Sequence, residues 1–245
     1  MKKHLLEYHE FINPLDKLSV SLSKSFMTSI KKFSTVDKYV KLVDLEINEE
    51  FIKFDICLIV KNSKLSPFKD DPYFKGKKQA LVSIKTDNYV VTGNTFINGD
   101  DIPLIEIILY INGDFSEETM YFKLNNVISH EINHLKQVGW NRDSFNFNPD
   151  KKEHKHNRKQ QKRDYRYFML PEEVESIVYG MENQSKIQKV PIDILFDDYL
   201  DRYVKSKFMS TSNKSEIIKI WILYTLKYHP LAKLSGKYTE IINNI

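Results

Sequence analysis

Three residues within a single helical turn, His130, Glu131 and His134, form the pattern His-Glu-x-x-His in the stretch Asn125–Gln137. On an α-helix, residues four apart are separated by about 40° around the axis and roughly 6 Å along it. Two imidazoles at that spacing can aim at one point, which is what a Zn²⁺ ion needs from a rigid helix. Glu131, roughly 100° round from His130, can touch a water beside the metal instead of the metal itself. Two ligands and a general base are the physical content of this spacing.

The surrounding residues must then supply a helix that points this triplet inward. At about 100° per residue, Leu124, Val127, Ile128, Ile132, Leu135 and Val138 fall on one side, with His130, Glu131 and His134 along its margin. Asn125, Asn133, Lys136 and Gln137 fall on the other side, which is expected to face solvent. The plainer reading is a half-buried helix whose two histidines and glutamate merely pair with each other.

The motif resembles that of the zincin metallopeptidases, and the similarity covers this helix and one later segment. Gln137 and Trp140 stand where the metzincin branch carries a glycine and a third histidine, so that branch is not expected. The gluzincin branch takes its third ligand from a glutamate on a later helix, usually followed by a small residue. Here the later segment is Leu170–Met181, where Pro171 and the acids Glu172 and Glu173 mark a helix start. Glu175 lies beside the apolar stripe Val174, Ile177, Val178 and Met181 and precedes Ser176, so the resemblance nominates Glu175 as third zinc ligand. Glu172 and Glu173 compete with it, since acids at a helix N-terminus are also explained by the helix dipole. His154 or His156 would serve if the ligand were a downstream histidine, as in SprT-like peptidases.

The chain before the motif reads as a sheet. Pro14–Phe33 carries Leu15, Leu18, Leu22, Phe26, Ile30 and Phe33 at helical spacing, an amphipathic helix expected to pack on that sheet. Residues 39–47 and 51–60 alternate as strands around a hairpin-length connection at Asn48–Glu50. Residues 63–78 read as a loop holding Pro67, Pro72 and Gly76. Strand candidates at 80–85 and 88–92 follow, then Ile102–Asn112. Lying next to the motif helix in sequence, Ile102–Asn112 is a candidate to pair with a substrate backbone, as a cleft strand does in zincins. An interior strand with no free edge is the alternative. Ser116, Glu117 and Glu118 then open the motif helix.

After Trp140 the composition shifts. Lys151–Arg166 is dense in Lys and Arg against Glu153 and Asp164, and lacks apolar periodicity. It reads as a solvated insertion; the functional alternative is a patch for nucleic acid or an acidic protein. Helices are expected at 192–208 and 215–228.

Taken together, the expected fold is α+β and zincin-like. One domain of 245 residues would comprise a twisted sheet with the motif helix (1–140), a basic loop (141–168) and a mainly helical part (169–245). A 41% apolar, 13% aromatic composition excludes disorder. A lone cysteine, Cys57, excludes a disulfide framework or a Cys-rich zinc site. The N-terminus has no apolar core of a secretory signal, and the longest apolar run, Ile217–Leu226, is interrupted by Lys219. A cytoplasmic protein without membrane attachment is expected.

The expected function is a zinc-dependent metallopeptidase: zinc on His130, His134 and Glu175, Glu131 as general base, and a peptide or protein substrate. Tyr165, Tyr167, Tyr179 and His229 are candidate donors to the oxyanion. The alternatives are a nucleic-acid-associated module with a structural zinc, or an assembly protein with a degenerate site.

Overall fold

The computed structural model describes residues 14–30, 37–47, 50–62, 88–97, 102–138 and 165–238. Among these it is a mixed α+β structure. A helix, α1 (Pro14–Ile30), precedes a four-stranded sheet of β1 (Asp37–Ile47), β2 (Glu50–Asn62), β3 (Tyr89–Ile97) and β4 (Pro103–Ile111). The motif helix α2 (Glu117–Val138) follows. A short 3₁₀ turn at Tyr165–Met169 then leads into α3 (Pro171–Gln188), α4 (Ile192–Lys205) and α5 (Thr211–Tyr228).

β1 and β2 form the expected hairpin, with Ile47 opposite Glu50. The sheet order is β1-β2-β4-β3, with β4 parallel to β2 and antiparallel to β3. Ile102–Asn112 therefore lies inside the sheet, bonded on both sides, and offers no free edge. The edge nearer the motif helix is β3, which packs against α2. Proximity in sequence to α2 did not decide this, because edge position depends on which strands pair, and β4 inserts between β2 and β3.

Period-two alternation builds the first core. Phe54, Ile56, Leu58 and Val60 of β2 and Ile105, Ile107 and Leu109 of β4 meet Leu22, Phe26 and Ile30 of α1 and Leu124, Ile128 and Ile132 of α2. Each such side chain contributes about 1.5–3 kcal/mol by leaving water. Cys57, Ile108 and Tyr110 alternate onto the opposite face and are buried too. α1 also lies along α2, and its serines are not solvated as a polar face would be: Ser19 and Ser23 are fully buried and bond the carbonyls of Leu15 and Ser19.

A second core joins α3, α4 and α5 around Phe168, Phe196 and Trp221. α5 begins at Thr211, earlier than apolar periodicity suggests. Ser210 and Asn213 form a reciprocal capping box there, with Asn in place of the usual Glu or Gln. No helix among the described residues is long and apolar enough to cross a membrane. Phe33, the 63–78 loop, the 80–85 strand and most of the basic segment, with His154 and His156, lie outside the described residues.

Candidate metal centre

α2 is packed on nearly every side. The expected solvent face does not exist: Asn125 and Asn133 are buried, Gln137 is half-buried, and Lys136 is exposed. Part of the reason is α3, which lies against α2 and pairs with Asn126, Ser129 and Asn133, whereas the buried Asn125 amide makes no hydrogen bond among the described residues. Asn133 Nδ2 donates to Ser176 Oγ at 3.1 Å, Asn183 Nδ2 to Ser129 Oγ at 2.7 Å, and Asn126 Nδ2 to Gln184 Oε1 at 2.6 Å. Gly180 permits the close approach, since a Cβ there would sit 2.7 Å from the Asn126 carbonyl oxygen.

The facing side of α3 is thus Glu173, Ser176, Gly180 and Asn183, a polar and small stripe at helical spacing. The apolar stripe Val174, Ile177, Val178 and Met181 belongs to the second core instead. The structure does not bring Glu175 to the histidines. The carboxylate that meets the histidines is Glu173, with Oε2 3.6 Å from Nε2 of both His130 and His134. The two Nε2 atoms are 3.0 Å apart, their rings edge to face. Glu175 instead accepts from Gln137 Nε2 at 3.0 Å. The apolar stripe misled because α3 is buried on two sides and turns its polar one toward the motif. The i, i+3, i+7, i+10 run of Glu, Ser, Gly and Asn was the signal that locates the contact.

His130, His134 and Glu173 offer ligand atoms within 4.8 Å of one another. Their fit to a metal can be tested on distances alone. A triangle with sides of 3.0, 3.6 and 3.6 Å has its corners about 2 Å from a common centre, which matches the bond length of zinc to imidazole nitrogen or carboxylate oxygen. Two imidazoles and one carboxylate are also the donor set of three-ligand zinc sites that leave a fourth position open. The residues fit the ion.

The electrostatics are those of a cluster that demands one positive charge. Burial, then the charge of His134, holds His130 down to about 4. Burial alone would lower His134 too, but its pairing with Glu173 and the charge of Glu131 outweigh it and raise it to about 9. Burial opposes ionisation of Glu173, yet the histidines and the Tyr167 hydroxyl bring it down to about 2. A neutral imidazole, a cationic one and a carboxylate thus share the cluster; a divalent ion would supply that charge without a proton.

Glu131 is buried and leans on edge strand β3. Thr95 Oγ1 donates to Glu131 Oε2 at 2.7 Å. Gly93 makes room for the carboxyl: a Cβ at that position would lie 2.4 Å from Glu131 Cγ. The charge of Glu131 reaches both His134 and Tyr167.

Of the four candidate oxyanion donors, the structure brings Tyr167 to the cluster. Its hydroxyl donates to Glu173 Oε2 at 2.6 Å, and burial, with the adjacent Glu173 charge, keeps it protonated well beyond its ordinary range. The 3₁₀ turn that carries it is pinned by Trp221 of α5, whose indole N–H donates to the Phe168 carbonyl at 2.8 Å. Tyr165 packs on the second core. Tyr179 and His229 are engaged elsewhere. Tyr179 donates to Asp16 of α1 at 2.8 Å, and His229 pairs with Glu182 at 2.7 Å.

Sequence reasoning passed over Thr95, Gly93 and Gln137. Nothing in the local pattern of β3 marks the first two, because their role arises only where the strand crosses α2. No protein-family model, curated protein or solved structure matches this chain.

Proposed function

We propose that this protein is a zinc-dependent metallopeptidase of gluzincin-like design, with His130, His134 and Glu173 as its metal ligands. The observation that carries the reading is the triangle of Nε2, Nε2 and Oε2 atoms, sized for one zinc ion, beside a buried carboxylate that is not part of it. Val174 follows Glu173 where the resemblance leads one to expect a small residue; the reading rests on the geometry, not on that detail.

Bound there, zinc would supply a Lewis acid that acidifies water and polarises a peptide carbonyl. Glu131 takes the proton of the attacking water on a carboxylate oxygen and delivers it to the leaving amine nitrogen. The hydrogen bond from Thr95 holds Oε2 of that carboxylate in place. Tyr167, protonated and within reach of Glu173, is the donor to the oxyanion. β3, the outermost strand on that side of the sheet among the described residues and next to Glu131, is where an extended substrate would add as a further strand.

The test is metal content and peptide hydrolysis together. Purified protein should hold about one zinc per chain, and Glu131→Gln should keep that zinc while turnover falls by about 10²–10⁴. Retained hydrolysis in Glu131→Gln, or no zinc in folded, metal-supplied protein, sinks the reading.

A further inference from the structure

Gln137 bridges the metal centre to a residue that does not belong to it. Its Oε1 stands 2.8 Å from His134 Nδ1, while its Nε2 donates to the Glu172 carbonyl at 2.8 Å and to Glu175 Oε2 at 3.0 Å. The last two groups are acceptors only, so they determine which end of the amide is nitrogen. Oε1 must then face His134, and an amide oxygen can only accept. Two lone pairs facing each other at that distance would repel, so His134 carries its hydrogen on Nδ1. The second hydrogen of the cationic ring sits on Nε2, opposite Glu173 and His130, and is the one a metal would displace to gain that lone pair.

We propose that Gln137 is a positioning residue that locks His134 in its Nε2-ligating form, and that Glu175 serves the centre only by orienting the Gln137 amide. This deepens the metallopeptidase reading and rests on it. Glu175, nominated by its place beside an apolar stripe, thereby has a role one hydrogen bond further out than a ligand. Ser176 Oγ is the other group near Nδ1, at 3.2 Å; beside the bond it accepts from Asn133 it has a second lone pair for Nδ1–H, so this longer contact fits a hydrogen on Nδ1. Gln137 also couples the two halves of the centre, because the Glu172 carbonyl it grips belongs to the turn of α3 that presents Glu173.

The experiment measures zinc affinity of the full chain by competition with a chromophoric chelator, beside the ¹⁵N–¹H spectrum of the histidine rings in zinc-loaded protein. Gln137→Met keeps the length of the side chain and removes all three hydrogen bonds of the amide. It should weaken zinc binding by about 10–100-fold and speed exchange of the His134 Nδ1 proton. Glu175→Gln, which retains an acceptor for the amide, should stay within about three-fold of the parent; Glu175→Ala should lose less than Gln137→Met does. The thermal transition of metal-free Gln137→Met separates a positioning effect from a folding defect. Unchanged affinity and an unchanged Nδ1 proton in folded Gln137→Met overturn the proposal while leaving the metallopeptidase reading in place. A Glu175→Gln variant that loses zinc altogether would make Glu175 a ligand and also overturn it. Parent protein that binds no zinc removes both readings together.

Discussion

His130 and His134 face each other with their Nε2 atoms 3.0 Å apart, about one turn apart on the same helix. Two nitrogens that close need a hydrogen or a metal ion between them. Glu173 faces both from the neighbouring helix, and this pairing across α2 and α3 organises the rest of the centre.

Glu173→Ala should therefore abolish stoichiometric zinc, while Glu175→Ala should retain it. Inductively coupled plasma analysis of the two purified variants decides between them. A zinc-replete Glu173→Ala would return the third position to another residue.

Gly93 is expected to be intolerant of a side chain. A Cβ there overlaps the Glu131 carboxyl, so Gly93→Ala must push either the strand or that side chain aside. Overpacking of this kind costs about 1–3 kcal/mol. The expected result is a protein with its zinc, a lower melting temperature and strongly reduced turnover. Wild-type turnover in Gly93→Ala would show that Glu131 need not stand where it does.

Tyr167→Phe removes the hydroxyl and keeps the ring that packs on Phe168. Loss of an oxyanion donor lowers kcat by about 10²–10³ with little change in KM. A change confined to zinc affinity would reassign the hydroxyl as a support for Glu173 alone.

A pH prediction comes from the buried network that ties α1 to α3 and to the end of α5. Burial raises the Glu182 carboxyl, but His229 and Lys186 outweigh it and hold its pKa below the ordinary value. Its stabilising contribution is thus present above the unfolded value of about 4.3 and lost as pH falls through the lower folded one. Lys186 is opposite in sign. Burial lowers it, Asp16 and Glu182 raise it further, and its contribution persists below about 10.4 and fades as pH rises through the folded value. Glu182→Gln should flatten the acid limb of melting temperature between about pH 5 and 3. An acid limb as steep as the parent's would remove Glu182 from the account.

What could be read along the chain was whatever depends on neighbours in sequence. His130, Glu131 and His134 share a helical turn, so their convergence follows from helix geometry alone. The β1–β2 hairpin follows from alternation interrupted at hairpin length, and the start of α3 follows from Pro171 and its acids. What depends on pairing between distant segments was decided by the tertiary structure. β4 is interior because β3 comes back beside it, and Asn133 is buried where Ser176 of α3 meets it. The choice of Glu173 over Glu175 is of the same kind. Two glutamates two positions apart point about 200° apart on a helix, and the apolar stripe does not state which side will meet α2. α3 has two buried sides, one apolar and one polar, and only their packing partners determine that the polar side carries the third carboxylate to the histidines.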